Sequence, residues 1–210
     1  MARINYFEQI HSRIEAIEAG DVFIISDFSD LADEATVRKA LSRLEEDGKI
    51  RRVMRGIYDK PQYSDFLDEI TQPNPDKIAK ALARNYGWTI VPCGDTALNM
   101  LGLSTQVPAV WHYVSDGNYR EYTCGNVVIR FKRTTNKEIS QISFKTALVI
   151  QAIKALGRSK INNEVINAIR TLTTEEEKKI MFAEAKYATA WIYDIIKGIC
   201  KDSCMSKEKL

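Results

Sequence analysis

The chain has 210 residues, 45% hydrophobic and 28% charged, values near the globular average that exclude a disordered tail, a collagen-like chain and a coiled-coil rod. Its length suits one large domain or two small ones. The net charge of +2, from 30 Lys+Arg against 28 Asp+Glu, has to be read by position before it says anything about partners.

Ile4, Phe7, Ile10, Ile14 and Ile17 recur at helical spacing ahead of Gly20, predicting an amphipathic helix over 3–19 ended by glycine. A short apolar run at 22–25 follows, and 27–32 reads as a short second helix. Across 34–47, Val37, Ala40, Leu41 and Leu44 take positions i, i+3, i+4 and i+7, and Gly48 is placed to stop this third helix. Residues 50–58 combine arginine with β-formers, and Arg55–Gly56 can fold them back as a hairpin.

All five prolines fall between positions 61 and 108. Three of them lie in 59–76, a polar stretch read as a connector that holds one short helix around 64–70. Beyond it come a helix at 75–86, a strand at 88–91, a short helix at 96–101, and strands at 110–115, 120–124 and 126–132. Three helices are expected to end the chain, at 143–156, 162–171 and 173–199, the last opened by a Thr173/Glu176 capping box. The expected class is α+β: a winged helix-turn-helix at 1–60, a connector at 61–75, a mixed α/β domain with a helical C-terminal portion at 76–200, and a polar tail at 201–210.

Three helices and a β-hairpin within about 60 residues follow the plan of a winged helix-turn-helix, whose third helix enters the major groove of DNA. Charge supports this plan. Residues 1–37 hold 2 Lys/Arg against 8 Asp/Glu, a net of −6, whereas 38–60 hold 8 against 4, a net of +4. Arg38, Lys39, Ser42 and Arg43 lie off the apolar stripe of the third helix, where arginine can reach guanine edges or phosphate and the shorter groups can reach phosphate. Lys49, Arg51, Arg52 and Arg55 make four of the seven residues at 49–55 basic, which suits a wing gripping backbone phosphates. The bland alternative for these cations is a solvated helix face, and an alternative use of the same fold is protein contact.

The segment TVRKALSRLEEDGKIRRVMRGIYDKP, residues 36–61, resembles the winged-helix segment of AbiEi-type antitoxins of bacterial abortive-infection toxin–antitoxin systems. The likeness rests on VRKALSRL, the DGKI turn and the RGIY wing; farther on, GDTALNMLGLSTQVP at 94–108 is similar to the opening of the second domain of those proteins. The resemblance implies a repressor of its own operon, with an N-terminal DNA-binding domain and a C-terminal domain that counteracts a partner toxin, and the thin catalytic inventory makes an enzyme the weaker class. Its partners would be double-stranded DNA of its own promoter region and a nucleotidyltransferase-like toxin; a dimer on paired half-sites and cooperating monomers are both open for the DNA complex. By position, Thr36, Arg38, Lys39, Ser42 and Arg43 fall on the recognition helix and Arg51, Arg52 and Arg55 on the wing.

Other constellations are weaker. Arg120, Arg130, Lys132, Arg133 and Lys137 flank β-like segments and are a candidate second basic surface, although alternating charge on an exposed strand is the commoner cause of such a pattern. Trp88, Trp111, Tyr113, Tyr119 and Tyr122 are expected to be packing residues rather than a base-stacking platform. An enzyme would centre on His112 with Cys93 or Cys124, or on the Asp95 and Asp116 turns; no catalytic residue, metal ligand or cofactor is assigned. Cys200 and Cys204 lack a second ligand pair at zinc spacing. No phosphate-cradling glycine motif occurs. Apolar windows such as 147–153 are broken well short of the roughly 20 residues a membrane span needs. Glu8, His11, Arg13 and Glu15 interrupt the N-terminus where a signal peptide would be apolar. A cytoplasmic chain with reduced cysteines is therefore expected.

Overall fold

The structure, a computed structural model, describes residues 5–135 and 139–201. The chain divides into two compact units, one up to Gly87 and the other from Trp88. Each mixes helices with small sheets in an α+β manner.

The first unit runs α1 (Tyr6–Ala16), β1 (Val22–Ile24), a 3₁₀ turn (Ile25–Phe28), α2 (Glu34–Glu46), β2 (Arg51–Met54), β3 (Ile57–Asp59), β4 (Tyr63–Ser64), β5 (Glu69–Ile70) and α3 (Pro75–Tyr86). Strands β1, β3 and β2 form a three-stranded sheet in that order, antiparallel throughout. The apolar stripe of α2 buries Val37, Ala40, Leu41 and Leu44 against Ile10 and Ile14 of α1 and Phe23, Phe28 and Tyr58. Burial in a core of this kind, rather than intrinsic propensity, stabilises helices this short.

Several boundaries differ from expectation for local reasons. The first helix stops at Ala16, not at the glycine, because Ile17 turns extended and Lys60 Nζ donates to the Glu15 and Ile17 carbonyls at 2.7 and 2.9 Å. Gly20 serves a different need: its φ is +83°, and a Cβ there would meet the Gln62 side chain at 2.6 Å. The second helix, expected at 27–32, shrinks to the 3₁₀ turn, with Asp27 Oδ2 accepting from the Ile24 amide at 2.9 Å. The short helix expected around 64–70 is instead the β4–β5 hairpin, closed by Tyr63↔Ile70 and Ser64↔Glu69 pairing and by a Thr71 amide to Gln62 carbonyl bond of 2.8 Å. The division between units also falls later than 61–75. Ile78 and Leu82 of α3 are buried, and α3 packs on β1 and β3, so this helix belongs to the first unit.

The second unit contains β6 (Ile90–Pro92), α4 (Asp95–Met100), β7 (Val110–Ser115), β8 (Arg120–Cys124), β9 (Val127–Arg133), α5 (Phe144–Leu156), α6 (Asn163–Thr171), α7 (Glu175–Glu184) and α8 (Ala190–Ile199). Its four-stranded sheet has the order β6-β7-β9-β8, with β7 parallel to β9 and the other pairs antiparallel. Helix α5 is buried along most of its length and centres a core that includes Met181, Ile192, Ile196 and Ile199. The single last helix expected at 173–199 is broken: Ala188 is extended, and Glu184 turns inward to accept from the Ser143 amide and hydroxyl at 2.9 and 2.7 Å. The capping box sits one residue later than expected, on Thr174 and Glu177, because the Thr173 hydroxyl donates to the Ile169 carbonyl. Among the described residues no helix is long and apolar enough to cross a membrane. Lys137, Cys204 and the tail beyond 201 lie outside the described residues.

Candidate functional site

Helix α2 begins at Asp33, whose carboxylate accepts from the Thr36 amide at 2.8 Å and from the Thr36 hydroxyl at 3.2 Å. The Thr36 amide, more than any other group, holds the Asp33 carboxyl below the usual range. Thr36 is thus engaged in capping the N-terminus of the helix. Past this cap, Arg38, Lys39 and Arg43 are exposed and Ser42 is half-buried. Arg38 Nε donates to Glu34 at 3.0 Å one turn earlier, and the Arg43 guanidinium lies 4.5 Å from the centre of the Phe7 ring. Lys39 has no ion pair among the described residues.

The β2–β3 hairpin turns at Arg55–Gly56, where Gly56 takes φ +78°, a value glycine adopts without strain. A bulge between Arg52 and Met54 shifts the register so that Arg51 lies opposite Asp59. Arg51 Nε and Nη2 then donate to the two Asp59 oxygens at 3.0 and 2.6 Å, and Nη2 also reaches the Thr71 carbonyl at 3.0 Å. This bidentate pair raises the Arg51 guanidinium above its ordinary value. The Asp59 side chain is buried, so Arg51 braces the base of the hairpin. Arg52 is half-exposed, 3.0 Å from Glu45 and 5.4 Å from the Tyr58 ring centre. Lys49 and Arg55 are exposed and form no ion pair among the described residues.

Arg38 and Arg55 come together at a cleft of about 560 Å³, also lined by Ile25, Ser29, Val37 and Tyr86. Sequence spacing places the two arginines on separate elements; their convergence follows from β3 packing between β1 and β2. Asp59 and Tyr86 have no motif of their own. Asp59 is signalled only by the hairpin register, and Tyr86 by the length of α3.

In the second unit the sheet register divides the expected basic surface. Arg120 is paired with Phe131 and Arg130 with Glu121, so Arg120 and Arg130 occupy opposite faces. Arg120 lies 5.8 Å from the Trp88 ring centre, while Arg130 Nε donates to Glu121 at 2.6 Å. Lys132 and Arg133 are exposed neighbours on β9 and alternate between those faces. His112 pairs with Arg130 across β7–β9, and burial, followed by Lys132 and Arg130, pushes its imidazole below the ordinary value. Burial pushes the Cys93 thiol up to about 11, which keeps it protonated at neutral pH. Asp116 accepts from the Thr89 amide at 2.9 Å, a turn-closing role, and Asp95 lies in the first turn of α4. The buried Cys200 thiol donates to the Lys178 carbonyl at 3.3 Å.

Sequence comparison assigns residues 9–181, across both units, to one family. The chain belongs to the DUF6088 family. DUF6088 is a family of unknown function. No curated protein matches the chain. Among solved structures this DUF6088 chain is similar to the crystal structure of the RV2827C protein from Mycobacterium tuberculosis, at 11% identity and a TM-score of 0.43, over 97% of this chain and 79% of that one.

Proposed function

We propose that the first unit is a winged helix-turn-helix that binds double-stranded DNA of its own promoter region, with α2 as the recognition helix and the β2–β3 hairpin as the wing. The observation that carries this reading is the pairing of an α2 packed on α1 with a hairpin that joins β1 in the order β1-β3-β2. That order leaves the outer face of α2 and the hairpin turn free to meet one ligand. Lys39, Lys49 and Arg55 supply charge that forms no salt bridge among the described residues; Ser42 and Arg43 add a hydroxyl and a guanidinium held over Phe7. Thr36 and Arg51 position the helix and wing rather than contact DNA. Each phosphate these cations neutralise releases counterions and makes binding fall with salt.

The protein is thereby read as a transcriptional autoregulator with an antitoxin-like second unit that engages a nucleotidyltransferase-like toxin. The support for this second half is the sequence resemblance around residues 36–61 and 94–108. The test is a salt titration of binding to DNA upstream of its own gene. Sequence-selective binding that weakens in Arg43→Ala plus Arg55→Ala is the expected result; no selective binding, or binding unchanged by both substitutions, overturns the DNA reading. Copurification with the product of an adjacent nucleotidyltransferase-like reading frame tests the partner; no association between the two purified proteins overturns that half.

A further inference from the structure

We infer that the β4–β5 hairpin is a self-association element whose apolar tip seats in the α2/β2–β3 cleft of a second copy of the chain. The hairpin displays Phe66 at 95% exposure, with Tyr63, Leu67 and Ile70 each more than half exposed. Four large apolar side chains within eight residues form a patch of the kind that marks a binding surface.

The tip is built rather than loose. The Tyr63 hydroxyl donates to Asp68, the Leu67 amide to the Ser64 hydroxyl, and the Arg51 guanidinium ties the Thr71 carbonyl at the base to the wing. Asp68 takes φ +53°, a left-handed conformation that aspartate tolerates and that closes the loop. The hairpin therefore holds its apolar knob out from the unit without burying it.

Charge selects the occupant. Between Lys60 and Lys77 the chain has no basic residue, and the hairpin carries Asp65, Asp68 and Glu69. Tip-to-tip packing of two hairpins would bring these like charges together. The α2/hairpin cleft offers the opposite: apolar Ile25, Ala32 and Val37 in its wall, with Arg38 held by Glu34 and Arg55 left as the cation without a salt bridge among the described residues. Its volume of about 560 Å³ falls in the range of about 300–1,000 Å³ of pockets that enclose drug-sized ligands. Phenylalanine and leucine fill the apolar part while the acids face Arg55. Because knob and cleft are different surfaces of one unit, the contact is heterologous and closes into a pair only if both are exchanged about a two-fold axis.

The same α2/hairpin surface is the one proposed above for DNA, so the second copy and DNA compete for it; sedimentation velocity on the full chain without nucleic acid tests the self-association by itself, so its failure and that of the DNA reading are distinguishable. Wild-type protein is expected to associate in a concentration-dependent manner at up to about 200 µM, weakening with salt. Phe66→Asp removes the knob and Arg55→Glu reverses the rim charge; both positions are exposed, so circular dichroism should remain native, and each variant alone should lose at least about tenfold in association. An equimolar mixture of F66D and R55E should associate more than either variant alone, because one exchanged contact joins the intact R55E hairpin to the intact F66D cleft while the reciprocal contact carries both substitutions. A wild-type chain that stays monomeric across the series overturns the proposal. So does association that survives F66D, or a mixture that associates no more than either variant alone while wild type associates.

Discussion

Each unit carries an arginine–carboxylate pair across neighbouring strands, and the two pairs have different physical weight. In Arg51–Asp59 the carboxylate side chain is 1% exposed; in Arg130–Glu121 the partners are 33% and 41% exposed. Water screens the second pair and can replace it, whereas Asp59 has been removed from water and depends on Arg51 for charge compensation. The comparison separates structural cations from available ones: a count of arginines on strands treats Arg51, Arg55, Arg120 and Arg130 alike, while burial and register assign them to different tasks.

The largest expected effect follows from that contrast. Arg51→Met leaves a buried carboxylate without its cation and should cost about 3 kcal/mol in urea unfolding, as breaking buried pairs does. Glu121→Gln should cost no more than about 1 kcal/mol. Equal losses in the two variants would erase the distinction between the pairs.

A second contrast concerns the ligand. On the DNA reading, Lys39→Ala and Arg55→Ala should each weaken binding and reduce the slope of log K against log salt by about 1 in an anisotropy titration. Arg120→Ala, whose side chain lies over Trp88, should leave both affinity and slope unchanged. A loss at Arg120 equal to that at Arg55 would move the binding face to the second unit.

These distinctions were only partly legible in the sequence. The α2 stripe could be read directly because Val37, Ala40, Leu41 and Leu44 meet one core, and a periodic contact leaves a periodic pattern. The turn at Arg55–Gly56 was legible through glycine's backbone freedom. The identity of the arginine bound to Asp59 was not: a regular two-residue turn would align Arg52 with Asp59, and the bulge after Arg52 moves Arg51 there instead. The β4–β5 hairpin was hidden for a related reason. Its pairing is closed by the Thr71 amide and the Tyr63–Asp68 hydrogen bond, while its side chains form no alternating buried face. The break at 185–188 lacks Gly or Pro; it accompanies a contact from Glu184 to Ser143, 41 positions away.

The smallest expected effect is a pH dependence confined to the second unit. His112 has a folded-state pKa below its ordinary value of 6.5 because it is partly desolvated and faces Lys132 and Arg130, with Asp95 and a backbone hydrogen bond only partly opposing them. The unfolded chain therefore takes up the proton first. Stability contributed by neutral His112 is fully present above about pH 6.5 and is lost as pH falls from there through the lowered folded-state pKa. The imidazole resonance should titrate with a midpoint below 6.5, and Lys132→Ala should move that midpoint upward. His112→Gln should flatten the slope of unfolding free energy as pH falls below about 6.5, where this proton uptake acts. A midpoint at or above the ordinary value would show that neither burial nor the β9 cations Lys132 and Arg130 outweigh Asp95 at His112, and that the exposed strand of the second unit exerts less field than the contrast with Arg51–Asp59 allows.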